Sequence, residues 1–160
     1  MPGIEFLQPA DDADLVRIYE TYRACNEPDS PAVPFADLGG EKGRQVLGRL
    51  RGINSVVSVN GEKAGFISIV EEKDGINFGF GLFSEYRGRG LMAGIVREAG
   101  RYIAARHAGK KITSSTRKGN VAAQKSLLAG GFVPIGSEMK PAAGAYGEPT
   151  EYVVFAYERG

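Results

Sequence analysis

The chain has 160 residues, a net charge of +1 and a single cysteine, Cys25. Its length predicts one domain over residues 1–160 with a substantial core. A lone cysteine and the absence of a basic-then-apolar leading segment predict a cytoplasmic protein. The apolar runs fall far short of the ~20 residues that span a bilayer, and the near-neutral charge argues against a general nucleic-acid binder.

The first half of the chain begins with a predicted strand, which is followed by a helix within residues 3–25. Asp11, Asp12 and Asp14 form an acidic cluster where this helix starts, as is typical of a helix N-terminus. A segment rich in Pro, Asp and Gly then predicts a loop, and residues 41–52 predict a short second helix.

Residues 55–83 predict an antiparallel meander of three strands. The turn signals are Asn60-Gly61 and Asp74-Gly75, both typical of tight hairpins. After Gly90 the apolar period changes from two residues to that of a helix. Strands are then predicted at "KITSS", "FVPIGS" and "EYVVFAYE", with a helix at "NVAAQKSLLAGG" and a loop at "EMKPAAGAYGEPT".

Charge is distributed unevenly along the chain. From Arg87 to Lys125 there are ten Lys or Arg residues against one acid, Glu98, whereas residues 1–37 hold eight acids. The basic segment favours an anionic ligand, and the acidic one favours a cation.

The stretch "EYRGRGLMAG", residues 85–94, places glycines and arginines at the start of the third helix. A helix N-terminus presents unpaired amides and partial positive charge, and glycines allow a phosphate to approach the backbone. This pattern predicts a diphosphate site, with a plain tight turn as the alternative. Arg117 and Lys118, before the helix that Asn120 is expected to cap, predict a second anion-binding place.

These residues resemble the GNAT superfamily of acyl-coenzyme A-dependent N-acyltransferases, and particularly its ribosomal-protein-acetylating branch. Residues 87–90 match the start of the family's Q/R-x-x-G-x-G/A motif, while Met92 replaces the usual Gly or Ala. Asn120, Gly131 and Phe132 match a second motif, with Ala123 where Ser is common.

The resemblance implies an α/β fold with a mixed, mainly antiparallel central sheet and helices on both faces. We expect the strands to follow the chain in order. The resemblance also implies acetyl-CoA as cosubstrate, no metal, and contacts to the pantetheine arm from Leu82, Ser84 and Asn120. The pyrophosphate is expected on Arg87, Gly88, Arg89, Gly90, Leu91 and Met92.

Acyl transfer requires a neutral amine and protonation of the departing thiolate. Candidate bases are Glu71, Glu72 and Glu85, and Glu72 is preferred because it ends a strand. Leu127 stands where many relatives carry a proton-donating Tyr, so the acid is Ser126, water or nothing specific. His107 is expected to cap the end of the third helix.

The expected partners are acetyl-CoA and a primary amine, with the acceptor site walled by residues 11–37 and by the loop 137–150 with Tyr146. A homodimer is possible, and no membrane or nucleic-acid partner is expected. Two alternatives stay open: a coenzyme A-binding module without turnover, and a dinucleotide-binding oxidoreductase that uses Gly88, Gly90 and Gly94.

Overall fold

A computed structural model of the chain describes residues 3–9, 11–26, 40–140 and 149–158. Within these residues the chain forms seven strands, four α-helices and one 3-10 helix. In chain order they are β1 (Ile4–Leu7), α1 (Asp12–Asn26), α2 (Gly40–Ile53), β2 (Asn54–Val59), β3 (Glu62–Glu72), β4 (Gly75–Leu82), the 3-10 helix (Ser84–Tyr86), α3 (Met92–Arg106), β5 (Lys111–Arg117), α4 (Val121–Ala129), β6 (Phe132–Lys140) and β7 (Thr150–Tyr157).

The strands form a mixed, mainly antiparallel sheet, as the resemblance implies, and their order is β1-β2-β3-β4-β5-β7-β6. β4 and β5 pair in parallel, whereas β7 pairs antiparallel with both β5 and β6. The expected chain order is therefore wrong for the last two strands. β6 suits the edge because eight of its nine residues are exposed or half-exposed and because Pro134 has no amide to donate to a central ladder.

β6 also extends three residues beyond its predicted end. The segment 138–140, expected as loop, is strand because Glu138, Met139 and Lys140 pair with residues 150–152 of β7. Residues 141–148 lie outside the described residues.

Contacts divide the chain into two compact units, residues 1–68 with 80–87, and residues 69–79 with 88–160. In the first unit, Ile18, Val56, Phe66 and Phe83 form a buried cluster against which Tyr86 packs. The expected cap of α1 is present, since the Asp11 carboxylate accepts the amide N–H of Asp14 at 3.1 Å.

The acidic cluster at the start of α1 is neutralised within the first unit. Lys63 Nζ lies 3.0 and 3.1 Å from the two carboxylate oxygens of Asp14, and Arg51 Nη2 lies 2.7 Å from Asp12 Oδ1. These two acids therefore hold cations of their own chain, which explains part of the acidic segment without an external cation.

The second unit packs α3 and α4 against the strands through aromatic and small residues. Phe132 stacks on Phe78 with ring centroids 5.8 Å apart and lies 5.2 Å from the ring of Tyr157. A β-carbon at Gly100 of α3 would come within 2.6 Å of the Tyr157 ring. The glycine therefore allows the helix to approach this aromatic cluster closely.

The two predicted hairpin signals act differently. Asn60 and Gly61 have φ of 53° and 85°, the conformation that a two-residue turn requires. Gly75 instead begins β4, and a β-carbon there would lie 2.3 Å from the carbonyl oxygen of Lys111. Close approach of β5, and not turn geometry, therefore requires glycine at position 75.

Candidate functional site

The glycine-arginine turn between the 3-10 helix and α3 is an open, left-handed segment of backbone. Gly88 has φ of 76° and Gly90 has φ of 71°, a region that side chains with a β-carbon rarely adopt. Among the described residues, no atom lies within 4 Å of a β-carbon built on either glycine. The glycines are thus required by the backbone conformation, and the space beside them is available to a ligand.

The N-cap residue of α3 does not cap the helix with its side chain. This residue is Leu91, whose apolar side chain makes no capping hydrogen bond, and the first turn holds no acidic residue. The first amides of a helix need an acceptor from outside the helix, and they attract anions. The turn and the helix start together therefore have the properties of a phosphate-binding site.

Three of the predicted coenzyme-binding residues meet in the first unit. Arg87 Nε donates to the carbonyl of Leu82 at 3.3 Å, and the amide of Arg87 donates to the carbonyl of Ser84 at 3.3 Å. Leu82 is buried, whereas Ser84 and Arg87 are exposed. The guanidinium of Arg87 thus folds back on the end of β4 and fixes the direction in which the chain enters the turn.

Asn120 is the N-cap of α4, as predicted. Its Oδ1 accepts the amide N–H of Ala123 at 3.1 Å, which leaves the Nδ2 group as the part of the side chain able to donate to a ligand. Gln124 Nε2 donates to the carbonyl of Lys118 at 2.7 Å and so ties the same turn to the helix.

Several cations of the basic segment are bonded within the second unit, so only part of that surplus is left for an anion. Lys118, which the sequence places at a second anion site, lies 3.0 Å from the Glu151 carboxylate. Arg97 donates to the carbonyl of Ala129 at the end of α4 at 2.9 Å, and Arg101 pairs with Glu98 at 2.9 Å.

Two of the three candidate bases hold ion pairs. Glu71 lies 3.3 Å from His107 Nδ1 and 3.8 Å from Lys110 Nζ. Glu85 pairs with Arg17, whose guanidinium lies 3.9 Å from the centre of the Phe83 ring. Glu72 is exposed at the end of β3, and within the described part of the chain its carboxylate makes no ion pair.

The ion pair between Glu71 and His107 places Glu71 and Glu72 in the second unit. His107 is the C-cap of α3, as predicted, so Glu71 and its neighbour Glu72 lie near the C-terminal end of that helix. The glycine turn lies at the other end, roughly 22 Å away for a helix of 15 residues. Glu72 is therefore remote from the predicted pyrophosphate site.

The position at which the resemblance implies a proton-donating tyrosine is part of the core. The Leu127 side chain is fully buried, and the Ser126 hydroxyl donates to the Ala122 carbonyl of its own helix at 3.1 Å. Neither residue therefore presents a proton donor to a ligand.

One residue at the parallel strand pair escaped the sequence analysis. Ser114 of β5 is buried, and its hydroxyl donates to the carbonyl of Phe78 in β4 at 2.7 Å. The signal that could have identified Ser114 is the alternation in "KITSSTR". Ser114 and Thr116 lie on the same buried face of the strand as Ile112. A polar residue at a buried strand position indicates a specific hydrogen bond.

Among the described residues, no group of three or more His, Cys, Asp or Glu side chains is arranged to hold a metal ion. Across the same residues, none of the helices has the length and apolar character needed to cross a membrane.

The "Acetyltransferase (GNAT) domain" family matches this sequence over residues 6–133, well over half of the chain. Among curated proteins, none matches the sequence.

Solved structures of similar fold cover nearly the whole chain. An acetyltransferase (GNAT family) from Bacillus anthracis has a TM-score of 0.72 at 15% identity, covering 96% of this chain and 93% of its own. The ribosomal-protein-S5-alanine acetyltransferase from Vibrio fischeri has a TM-score of 0.66 at 20% identity, covering 96% and 90%. The spermidine N-acetyltransferase from Vibrio cholerae, solved with CoA and spermine, has a TM-score of 0.68 at 15% identity, covering 97% and 94%. The match of the family over residues 6–133, together with these folds, shows that the chain belongs to the GNAT acetyltransferases.

Proposed function

We propose that this acetyltransferase moves the acetyl group of acetyl-CoA to a primary amine, either a protein N-terminus or a small-molecule amine. The observation that carries the proposal is the uncapped N-terminus of α3 behind the open turn at Gly88 and Gly90. This arrangement suits the pyrophosphate of a coenzyme, which offers several anionic oxygens to backbone amides.

The residues that would hold the coenzyme are those that the sequence predicts. The amides of residues 87–92 would bind the pyrophosphate, with the guanidinium of Arg89 adding charge. Backbone groups at Leu82 and Ser84 would pair with the amides of the pantetheine arm, as an extended peptide pairs with a strand edge. Asn120 would contribute its Nδ2 group, since its Oδ1 caps α4.

The reaction forms a bond between the amine nitrogen and the acetyl carbon and breaks the bond between that carbon and sulfur. The amine attacks in its neutral form, and we propose Glu72 as the base that receives, directly or through water, the proton that the nitrogen loses as the new bond forms. Because Glu72 lies roughly 22 Å from the glycine turn, this role requires that the pantetheine arm carry the acetyl group over most of that distance from the pyrophosphate. The departing thiolate needs no dedicated acid near neutral pH, since a thiol has an ordinary pKa of about 8.5.

The residues expected to wall the acceptor site lie partly outside the described residues, including Tyr146 and the segment 27–39. The choice between protein and small-molecule acceptors, the ribosomal-protein branch, the homodimer and the cytoplasmic location all stay predictions.

Acetyl-CoA is expected to raise the melting temperature of the protein by several degrees. A ligand that binds only the folded state adds about 2.7 kcal/mol of stability at one hundred times its Kd. For a chain of this size each kcal/mol shifts Tm by roughly 2–4 °C. Differential scanning fluorimetry with acetyl-CoA measures the shift, and NADPH at the same concentration serves as the control. A larger shift with NADPH would overturn the acetyl-CoA assignment in favour of the dinucleotide alternative.

Glu72→Gln is expected to lower kcat by roughly 100-fold or more while leaving the Kd for acetyl-CoA unchanged, because general-base catalysis contributes about 10²–10⁴ in rate. Steady-state release of the CoA thiol with a panel of amines measures kcat, and calorimetry measures Kd. The matched control is Glu62→Gln, an exposed glutamate at the other end of β3. Equal rates for the two variants would remove Glu72 from the mechanism. Acetyl-CoA binding by the unaltered protein without thiol release on any amine would favour the non-catalytic module.

A further inference from the structure

Helix α2 presents cations to solvent on the side that does not face the core. The helix holds four Lys or Arg residues among its 14 positions, against one acid, Glu41. Lys42, Arg44 and Arg49 are exposed, and none of the three pairs with a carboxylate of the described residues. The described part of the first unit therefore leaves these three charges available to a partner.

The helical repeat arranges the cations of α2 in two rows. Residues seven positions apart lie on the same side of a helix, two turns or about 10.5 Å from each other. Lys42 and Arg49 form one row by this spacing, and Arg44 and Arg51 form the other. The helix surface between the two rows is exposed, as at Gln45. A ligand lying along this surface would therefore have positive charge on both sides.

Two glycines, Gly48 and Gly52, lie between the rows, and we call their exposed surface the glycine strip. Neither glycine has a positive φ, and no atom of the described residues lies within 4 Å of a β-carbon built on either one. Glycine weakens a helix relative to alanine. Neither backbone conformation nor packing within the described chain accounts for these two glycines, and their effect is to leave the backbone between the cations open to close approach.

An acidic polypeptide segment matches this surface better than a nucleic acid does. Arg51 pairs with Asp12 at 2.7 Å, and the Asp12 side chain is 70% exposed, so a carboxylate borders the surface on that side. Glu41 lies at its N-terminal end. A phosphate backbone that extended beyond the helix would meet these acids, whereas a short acidic segment of a protein would reach the cations without extending to them.

We propose that the outward side of α2 is a docking site for an acidic segment of a partner protein. The backbone of this segment approaches the glycine strip, and its carboxylates pair with the two rows of cations. The site lies within the first unit and goes beyond the proposed acetyl transfer. Its test is a binding measurement that needs neither acetyl-CoA nor turnover, so the two proposals can fail separately.

Fluorescence anisotropy with a labelled peptide of alternating Glu and Ala residues tests the proposal. The same peptide with Gln in place of Glu is the probe control, and a single-stranded RNA of equal charge is the competing ligand. We expect the parent to bind the Glu peptide with an affinity that falls as the salt concentration rises. The Gln peptide should not bind, and the RNA should bind less tightly than the Glu peptide.

Removal of the unpaired cations tests the two rows. The triple variant Lys42→Gln, Arg44→Gln, Arg49→Gln is expected to raise the Kd for the Glu peptide by about tenfold or more, because three charge pairs are lost together. Arg51 is left in place because it holds Asp12. The matched control removes three exposed cations of the second unit and should retain the parental Kd. It carries Arg101→Gln, Arg106→Gln and Lys111→Gln.

The double variant Gly48→Leu, Gly52→Leu tests the glycine strip. Leucine favours a helix more than glycine does, so we expect the melting temperature to rise by roughly 3 °C or more. The same side chains would cover the strip, so the Kd for the Glu peptide should rise by about tenfold. The double variant to alanine should also raise the melting temperature, with a smaller loss of binding. A purely structural role for the glycines would not produce weaker binding in a more stable protein.

Three results would overturn the proposal. The first is an equal loss of binding in the two triple variants, which would show attraction to positive charge at any place on the protein. The second is a leucine variant that folds and binds the Glu peptide as tightly as the parent. The third is tighter binding of the RNA than of the Glu peptide, or no binding of the Glu peptide by the parent at low salt.

Discussion

Gly90→Val is expected to weaken acetyl-CoA binding by at least about 100-fold, or about 2.7 kcal/mol, in a protein that stays folded. Gly90 has φ of 71°, which a β-branched residue cannot adopt without strain, so the valine would shift the turn that leads into α3. The added side chain would also fill space that is open in the structure and that the proposed pyrophosphate would occupy. Calorimetry with acetyl-CoA measures the loss of binding, and circular dichroism verifies the fold.

Gly109→Val is the matched control for this experiment. Gly109 has φ of 80° and lies in the exposed connection between α3 and β5, where no atom of the described part of the chain comes within 4 Å of a built β-carbon. The two variants therefore carry a similar backbone strain, but Gly90 lies just before the N-terminus of α3, whereas Gly109 lies after its C-terminus. If Gly109→Val loses binding to the same extent, strain and not the phosphate site explains the loss. If Gly90→Val binds as tightly as the parent, the pyrophosphate site lies elsewhere.

The local features of the candidate site were predictable because each depends on a few neighbouring residues. Backbone preferences of glycine and asparagine determine the glycine turn, the Asn120 cap and the Asn60-Gly61 hairpin, and these preferences are known from the residue types alone. The resemblance of the two motifs to the GNAT superfamily allowed a function to be predicted, and the match over residues 6–133 confirms the superfamily. The roles of individual residues in coenzyme binding stay predictions.

The features that the sequence did not predict depend on contacts between distant segments. β7 lies before β6 in the sheet because β7 pairs with β5 on one edge and with β6 on the other. No local pattern in "FVPIGS" or "EYVVFAYE" indicates these partners. The bond from Ser114 to Phe78 joins residues 36 positions apart. The partners of Glu71 and Glu85 likewise lie on other elements, so spacing along the chain could not separate these two carboxylates from Glu72.

The buried state of Leu127 leads to the last expected result, the pH dependence of catalysis. With Leu127 in the core and the Ser126 hydroxyl bonded to its own helix, neither residue supplies a proton to the thiolate. For an acceptor with an ordinary amine pKa of about 10.4, the neutral fraction rises about tenfold per pH unit below that value. We therefore expect kcat/KM to rise with this slope from pH 6 to pH 9. No falling limb should appear through the range near ~10 in which a tyrosine ionises.

Leu127→Tyr is expected to lower the melting temperature without raising the rate, because the fully buried site would have to accept a larger side chain and an unpaired hydroxyl. Leu127→Met, which nearly conserves volume, is the control and should leave both quantities close to those of the parent. Stopped-flow detection of the CoA thiol across pH, on protein verified as folded at each pH, gives the profile. A bell-shaped profile whose alkaline limb disappears in one Tyr→Phe variant, at Tyr86 or Tyr146, would show that a tyrosine on another element protonates the thiolate. A rate increase in Leu127→Tyr would show that position 127 reaches the reacting sulfur despite its burial in the present structure.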